Sequence, residues 1–199
     1  CPRCVTSLSS HEVSLGYQDD ISDPSVYIKF KLVDRAREYL EKFGVHRDLP
    51  MYLLAWTTTP WTLPGNTALA VASDAEYAIV EVNAEYIIMA SALLEEVGLN
   101  DAPVIAKMKG SELLVVEYEP LYNPDEFGVP RLEFESIIDF DRRAGKEIPT
   151  HEPSVHLDRY PVIVTDFVSM EEGTGIVHIA PAYGELDYEA GWKNDLDFI

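Results

Sequence analysis

Residues 57 to 66 read Thr57-Thr58-Thr59-Pro60-Trp61-Thr62-Leu63-Pro64-Gly65-Asn66, a row of hydroxyls with an aromatic neighbour and no strong nucleophile. Hydroxyls both donate and accept hydrogen bonds, so such a row suits holding a small polar ligand and positioning water. A second group stands far along the chain: His178, then Asp187 nine residues later, with Pro181 and Gly184 between them. That spacing predicts His178 at a strand end and Asp187 in the first turn of the next helix, both facing one cleft. There the helix dipole would hold the carboxylate anionic, ready to pair with an ammonium group. The plainer readings are that Asp187 only complements a helix start, and that His178 is a hydrogen-bonded core residue.

Other chemistries fit poorly. His151-Glu152-Pro153-Ser154-Val155-His156 has one residue too many for a zinc-protease motif, and Pro153 breaks the required helix. No G-x-S-x-G elbow occurs, and His46-Arg47-Asp48-Leu49 copies a kinase loop without its partners. The two cysteines, Cys1 and Cys4, form one C-x-x-C, which is half of a four-ligand zinc site. No metal site is expected in this fragment. Two free cysteines instead of a disulfide framework suggest a cytoplasmic origin. Hydrolysis here would have to use water.

With 15 basic against 35 acidic residues the net charge is −20, which disfavours extended nucleic-acid binding and leaves room only for one or two nucleotides at a strand end. No apolar run approaches the roughly 18 residues that a membrane helix needs. At 199 residues one domain is expected, as a monomer. The opening Cys-Pro-Arg-Cys without an initiator Met suggests an excised fragment.

The elements that must position these residues are mostly short strands. Met51 to Ala55 is a buried strand that Trp56 continues, delivering the threonines into a stiff, non-helical loop fixed by Pro60 and Pro64. Strands are also expected at 25–30, 67–72, 77–82, 86–90, 104–108, 113–118, 160–164 and 175–179. Asn83-Ala84-Glu85 forms a hairpin link. Helical spacing marks residues 32 to 43, stopped by Gly44; a short helix at 92–97, capped by Ser91 and stopped by Gly98; and 185–192. Residues 120 to 158 read as loops with one or two short elements. Gly173 and Gly175 are expected to let backbone approach the threonine loop. The pattern is mainly β with peripheral α-helices around a β-barrel-like core.

Trp56-Thr57-Thr58-Thr59-Pro60-Trp61-Thr62-Leu63-Pro64-Gly65-Asn66 resembles the threonine-rich peptide of the editing domain of isoleucyl-tRNA synthetases. The block Glu172 to Gly184 with Asp187, and Asp23-Pro24-Ser25-Val26, extend the resemblance over nearly the whole chain, with a looser middle from about residue 90 to 160. Valyl and leucyl relatives typically carry Thr-Thr-Arg-Pro and an acidic residue where this chain has Thr-Thr-Thr-Pro-Trp. The resemblance implies a division into residues 1–18, a linker from the synthetase body; 19–192, the editing domain; and 193–199, the start of the return linker. It also implies that Cys1 and Cys4 meet a second cysteine pair only in the full-length enzyme, where zinc is possible.

The implied activity is post-transfer editing: hydrolysis of the ester of valine misattached to isoleucine tRNA, without a cofactor. A hydrophobic pocket separates isoleucine from valine by only ~1–3 kcal/mol, a limit of which this synthetase is itself the usual illustration. A second pocket that admits valine and excludes isoleucine multiplies the fidelity. By resemblance, Thr57, Thr58 and Thr59 contact substrate and terminal adenosine, Asp187 anchors the α-ammonium, and His178 lines the side-chain pocket and excludes isoleucine. Trp61 and Asn66 lie in or beside the site; Trp56 packs in the core, and Thr62 and Thr67 carry no special role. The partners implied are the 3′ acceptor end of the tRNA and the rest of the synthetase chain, with no membrane. HIGH and KMSKS sequences are absent, so no amino-acid activation is expected. The alternatives are a non-hydrolytic module that grips the acceptor end or links domains, and valyl-type editing of threonyl-tRNA.

Overall fold

A computed structural model describes residues 24–46, 48–129, 131 and 159–199. Among the described residues, nine strands form two mixed sheets. The first has β1 (Val26–Lys31), β2 (Met51–Thr57), β4 (Glu76–Val82), β5 (Glu85–Ala90) and β6 (Val104–Lys109) in the order β1-β2-β5-β4-β6. The second has β3 (Ala68–Val71), β7 (Glu117–Tyr118), β8 (Tyr160–Val164) and β9 (Ile176–Ile179) in the order β7-β8-β3-β9. Among the described residues, the α-helices α1 (Asp34–Leu40), α2 (Leu94–Val97) and α3 (Glu185–Lys193) lie outside them. Among the described residues none is long and apolar enough to cross a membrane.

β2 is apolar almost throughout because it pairs on both sides, antiparallel to β1 and parallel to β5, and lies within the core. Its register with β1 sets Val26 opposite Thr57 and carries Thr57 to the strand's last position. The β4–β5 hairpin turns through Asn83 and Ala84 at φ 51° and 61°, the left-handed pair that a two-residue turn needs. Phe30, Leu40, Leu53, Leu69, Tyr77, Ile79 and Ile88 fill the core, each fully buried side chain contributing roughly 1.5–3 kcal/mol.

The mainly β architecture with peripheral helices agrees with the sequence pattern, but the sheets do not close into a barrel. Their seam is made by isolated links: Ala90 N–H to Thr174 C=O at 2.9 Å, Val33 N–H to Glu117 C=O at 3.2 Å, and the Tyr77 hydroxyl to Gly175 C=O at 2.7 Å.

Several local expectations change. Residues 60 to 65 form a 3-10 helix, not a non-helical loop, since Pro60 at its first position has the right φ and its missing N–H is an unused donor there. Residues 110 to 115 are also a 3-10 helix, leaving only two residues of the strand expected at 113–118. Ser91 does not cap its helix; a 3-10 turn begins there with no side-chain cap. Gly44 does end the first helical segment, at φ 86°.

Candidate functional site

The site forms where the end of β2 meets β9 across the seam. β9 pairs antiparallel with β3, placing His178 opposite Leu69, and the imidazole points at the turn that follows β2. His178 Nε2 lies 3.3 Å from Thr57 Oγ1 and 3.2 Å from Thr62 Oγ1. Thr57 Oγ1 also accepts the Thr59 N–H at 3.1 Å and stands 3.3 Å from Thr59 Oγ1. The Thr62 hydroxyl donates to the Thr59 carbonyl at 2.8 Å, across the first turn of the 3-10 helix. His178 is only 6 % exposed, and burial pulls its pKa down to about 4. It is neutral at physiological pH.

Asp187 sits in the first turn of α3, as the spacing predicts. Its Oδ2 accepts the Ala180 N–H at 2.9 Å, so the carboxylate is fixed two residues beyond His178. Partial burial raises its pKa above the usual carboxylate value, and the Ala180 N–H opposes that rise. The expectation that a helix start simply stabilises this anion is therefore incomplete.

The other predicted residues divide. Thr58 and Thr59 are exposed at the turn's mouth, whereas Thr57 is buried beneath them. Trp61 is 69 % exposed and presents a bare indole face beside the threonines. Asn66, expected to contact substrate, is 4 % exposed and turned inward. Its Nδ2 donates to the carbonyls of Ala68 (2.8 Å) and Ile179 (3.3 Å), and its Oδ1 accepts the Tyr118 hydroxyl at 2.7 Å. It holds the turn against β9. Gly173, at φ 74°, approaches the end of β2 as expected: a Cβ there would lie 2.8 Å from the Trp56 ring. Gly175 instead meets Ala90 and Met170, away from the threonines.

Two residues of the site were missed from sequence. Thr62 touches His178 directly, and its signal was the three-residue step from Thr59, which puts both on one face of a 3-10 turn. Tyr118 supports Asn66 from 52 residues away, and nothing in the sequence joins them. Cys1, Cys4, His151, Glu152 and His156 lie outside the described residues. An apolar groove of about 270 Å³, lined by Tyr122, Phe127 and Tyr183 with Pro64 and Gly65 of the turn, adjoins the site. A cleft of about 640 Å³ between α3 and Phe167 contains none of Thr57, Thr58, Thr59, Thr62, His178 and Asp187.

This fold is that of the editing domains of class I aminoacyl-tRNA synthetases. The CP1 domain of a leucyl-tRNA synthetase (GlLeuRS-CP1) superposes with a TM-score of 0.57 at 20% identity, over 83% of this chain and 57% of that one. The editing domain of the P. knowlesi cytosolic leucyl-tRNA synthetase does so with a TM-score of 0.55 at 13% identity, over 90% and 69%. Within that class the chain is similar, over its whole length, to one segment of the isoleucyl-tRNA synthetases. It is 48% identical to the isoleucine–tRNA ligase of Dehalococcoides mccartyi over 205 residues, matching 100% of this chain and 19% of that protein. For the isoleucine–tRNA ligase of Clostridium novyi the identity is 39%, over 100% of this chain and 15% of that protein. The chain thus spans about a fifth or less of the length of the curated relatives it matches. No family model matches it.

Proposed function

We propose that this chain carries out post-transfer editing, hydrolysing the ester that joins misattached valine to isoleucine tRNA. The observation that supports it best is the hydrogen-bonded cluster of Thr57, Thr59, Thr62 and neutral His178, with a partly desolvated carboxylate two residues beyond the histidine. In this reading a water oxygen attacks the ester carbonyl carbon. The carbonyl–ribose C–O bond breaks, and the water's proton passes to the departing ribose oxygen, aided by the neighbouring ribose hydroxyl. Free valine and uncharged tRNA result. Water is the only co-reactant, and no cofactor enters.

Each side chain then has a role that its geometry allows. Thr58 and Thr59, exposed at the mouth, meet the substrate and the terminal adenosine. Thr57 acts from beneath, holding Thr59 and His178. Asp187 pairs with the α-ammonium, a cation that relieves the cost of its own desolvation. His178 is a poor base, with a pKa near 4. Held by two hydroxyls, it instead forms a wall that leaves room for valine but not for one methylene more. Trp61 supplies an aromatic face at the entrance. Position and electrostatics carry the rate. The partners are the acceptor end of the tRNA and the remainder of the synthetase chain, with the chain acting as a monomer.

The test is single-turnover deacylation of valyl-tRNA(Ile) by this chain at high protein concentration, beside binding of a non-hydrolysable valyl-adenosine analogue. Hydrolysis together with binding is the expected result. Absence of both would contradict the proposal.

A further inference from the structure

Thr62 has one proton, and the 2.8 Å bond to the Thr59 carbonyl uses it. Its Oγ1 can therefore only accept from His178 Nε2 at 3.2 Å; two facing lone pairs at that distance in a buried site would repel. Nε2 must carry the ring proton. Thr57 completes the count: its two lone pairs take the Thr59 N–H (3.1 Å) and share the Nε2–H (3.3 Å). Its own proton then goes to Thr59 Oγ1, 3.3 Å away. The Thr59 hydroxyl, at the exposed mouth, keeps its proton free to donate outward. His178 Nδ1 is left as a buried acceptor with no partner among the described residues.

We infer that Thr62 is a positioning residue that fixes His178 as the Nε2–H tautomer and thereby sets the direction of the hydroxyl row, leaving Thr59 as the donor that faces the substrate. It touches no substrate itself. Its effect on editing rests on the function proposed above, but the tautomer does not. Removing the Thr62 hydroxyl while keeping its shape, as in Thr62→Val, leaves Nε2 with the more distant Thr57 alone. The imidazole is then free to exchange tautomers or flip. Thr62→Ser restores the hydroxyl.

Imidazole ¹⁵N NMR on this chain tests the inference without any activity measurement, with His178 assigned by the signal lost in His178→Gln. The wild type is expected to show protonated Nε2 and bare Nδ1. Thr62→Val should average or reverse that pattern, and Thr62→Ser should keep it. Preference for the valyl over the isoleucyl ester should fall about fivefold in Thr62→Val, the loss of one buried hydrogen bond, and recover in Thr62→Ser. A wild-type spectrum with Nδ1 protonated overturns the inference. So does Thr62→Val with an unchanged tautomer. If the tautomer responds as described while the wild type neither hydrolyses the valyl ester nor binds the valyl-adenosine analogue, the role of Thr62 in fixing the imidazole stands and the editing proposal falls.

Discussion

Asp187 Oδ2 accepts the backbone N–H of Ala180 at 2.9 Å, tying the first turn of α3 to the end of β9. One oxygen of the carboxylate is thus structural, and the proposed ammonium anchor would use the other. The two roles can be separated. Asp187→Asn retains an acceptor for Ala180 and is expected to stay within about 0.5 kcal/mol of wild-type stability while losing the proposed ammonium anchor. Asp187→Ala should lose both, with about 1–2 kcal/mol lower stability by urea unfolding. Asp187→Asn that hydrolyses valyl-tRNA(Ile) at the wild-type rate would remove Asp187 from the site.

The pH dependence of stability should carry the signature of His178. Its pKa drops from 6.5 to about 4 on folding, so between those values the unfolded chain binds more protons than the folded one. Stability is therefore full above pH 6.5 and is lost as pH falls toward 4, by about 3 kcal/mol. Asp187, whose pKa is raised, works in the opposite sense. The clean readout is the difference between wild type and His178→Gln in urea melts from pH 7.5 to 4. Parallel curves would show that His178 titrates normally.

Asn66 is expected to act through structure. Asn66→Ala removes three hydrogen bonds, and Tyr118→Phe removes one of them. Losses of about 2–3 and about 1 kcal/mol should follow, measured by thermal unfolding. Asn66→Ala at wild-type stability, with editing abolished, would return the residue to direct substrate contact.

Ala84 sits at φ 61°, where a Cβ is strained and glycine is not. Ala84→Gly converts the hairpin to the favoured Asn-Gly pair and should raise stability by about 0.5–1 kcal/mol without changing deacylation.

Much of this architecture is legible in the sequence because local signals are strong there. The apolar run of β2, the two-residue turn at Asn83-Ala84, the stop at Gly44 and the placement of His178 and Asp187 around Pro181 and Gly184 all rest on short-range chemistry. The 3-10 helix at Pro60–Gly65 was hidden because two prolines in six residues argue against helix, although Pro at a first helical position is favourable. The strand expected at 113–118 failed because its apolar residues serve a 3-10 turn beneath β8 instead. Tertiary pairing hid the rest. Thr62 looks like any loop threonine until β9 brings His178 to it, and Asn66 looks like a ligand-binding amide until Tyr118 occupies its carbonyl.

The most direct test is the relative rate at which this chain, wild type and His178→Ala, removes valine and isoleucine from isoleucine tRNA. Faster loss of valine by the wild type, with isoleucine also removed by His178→Ala, is the predicted result. Equal loss of both amino acids from the wild type, or unchanged selectivity in His178→Ala, would contradict a pocket closed by His178.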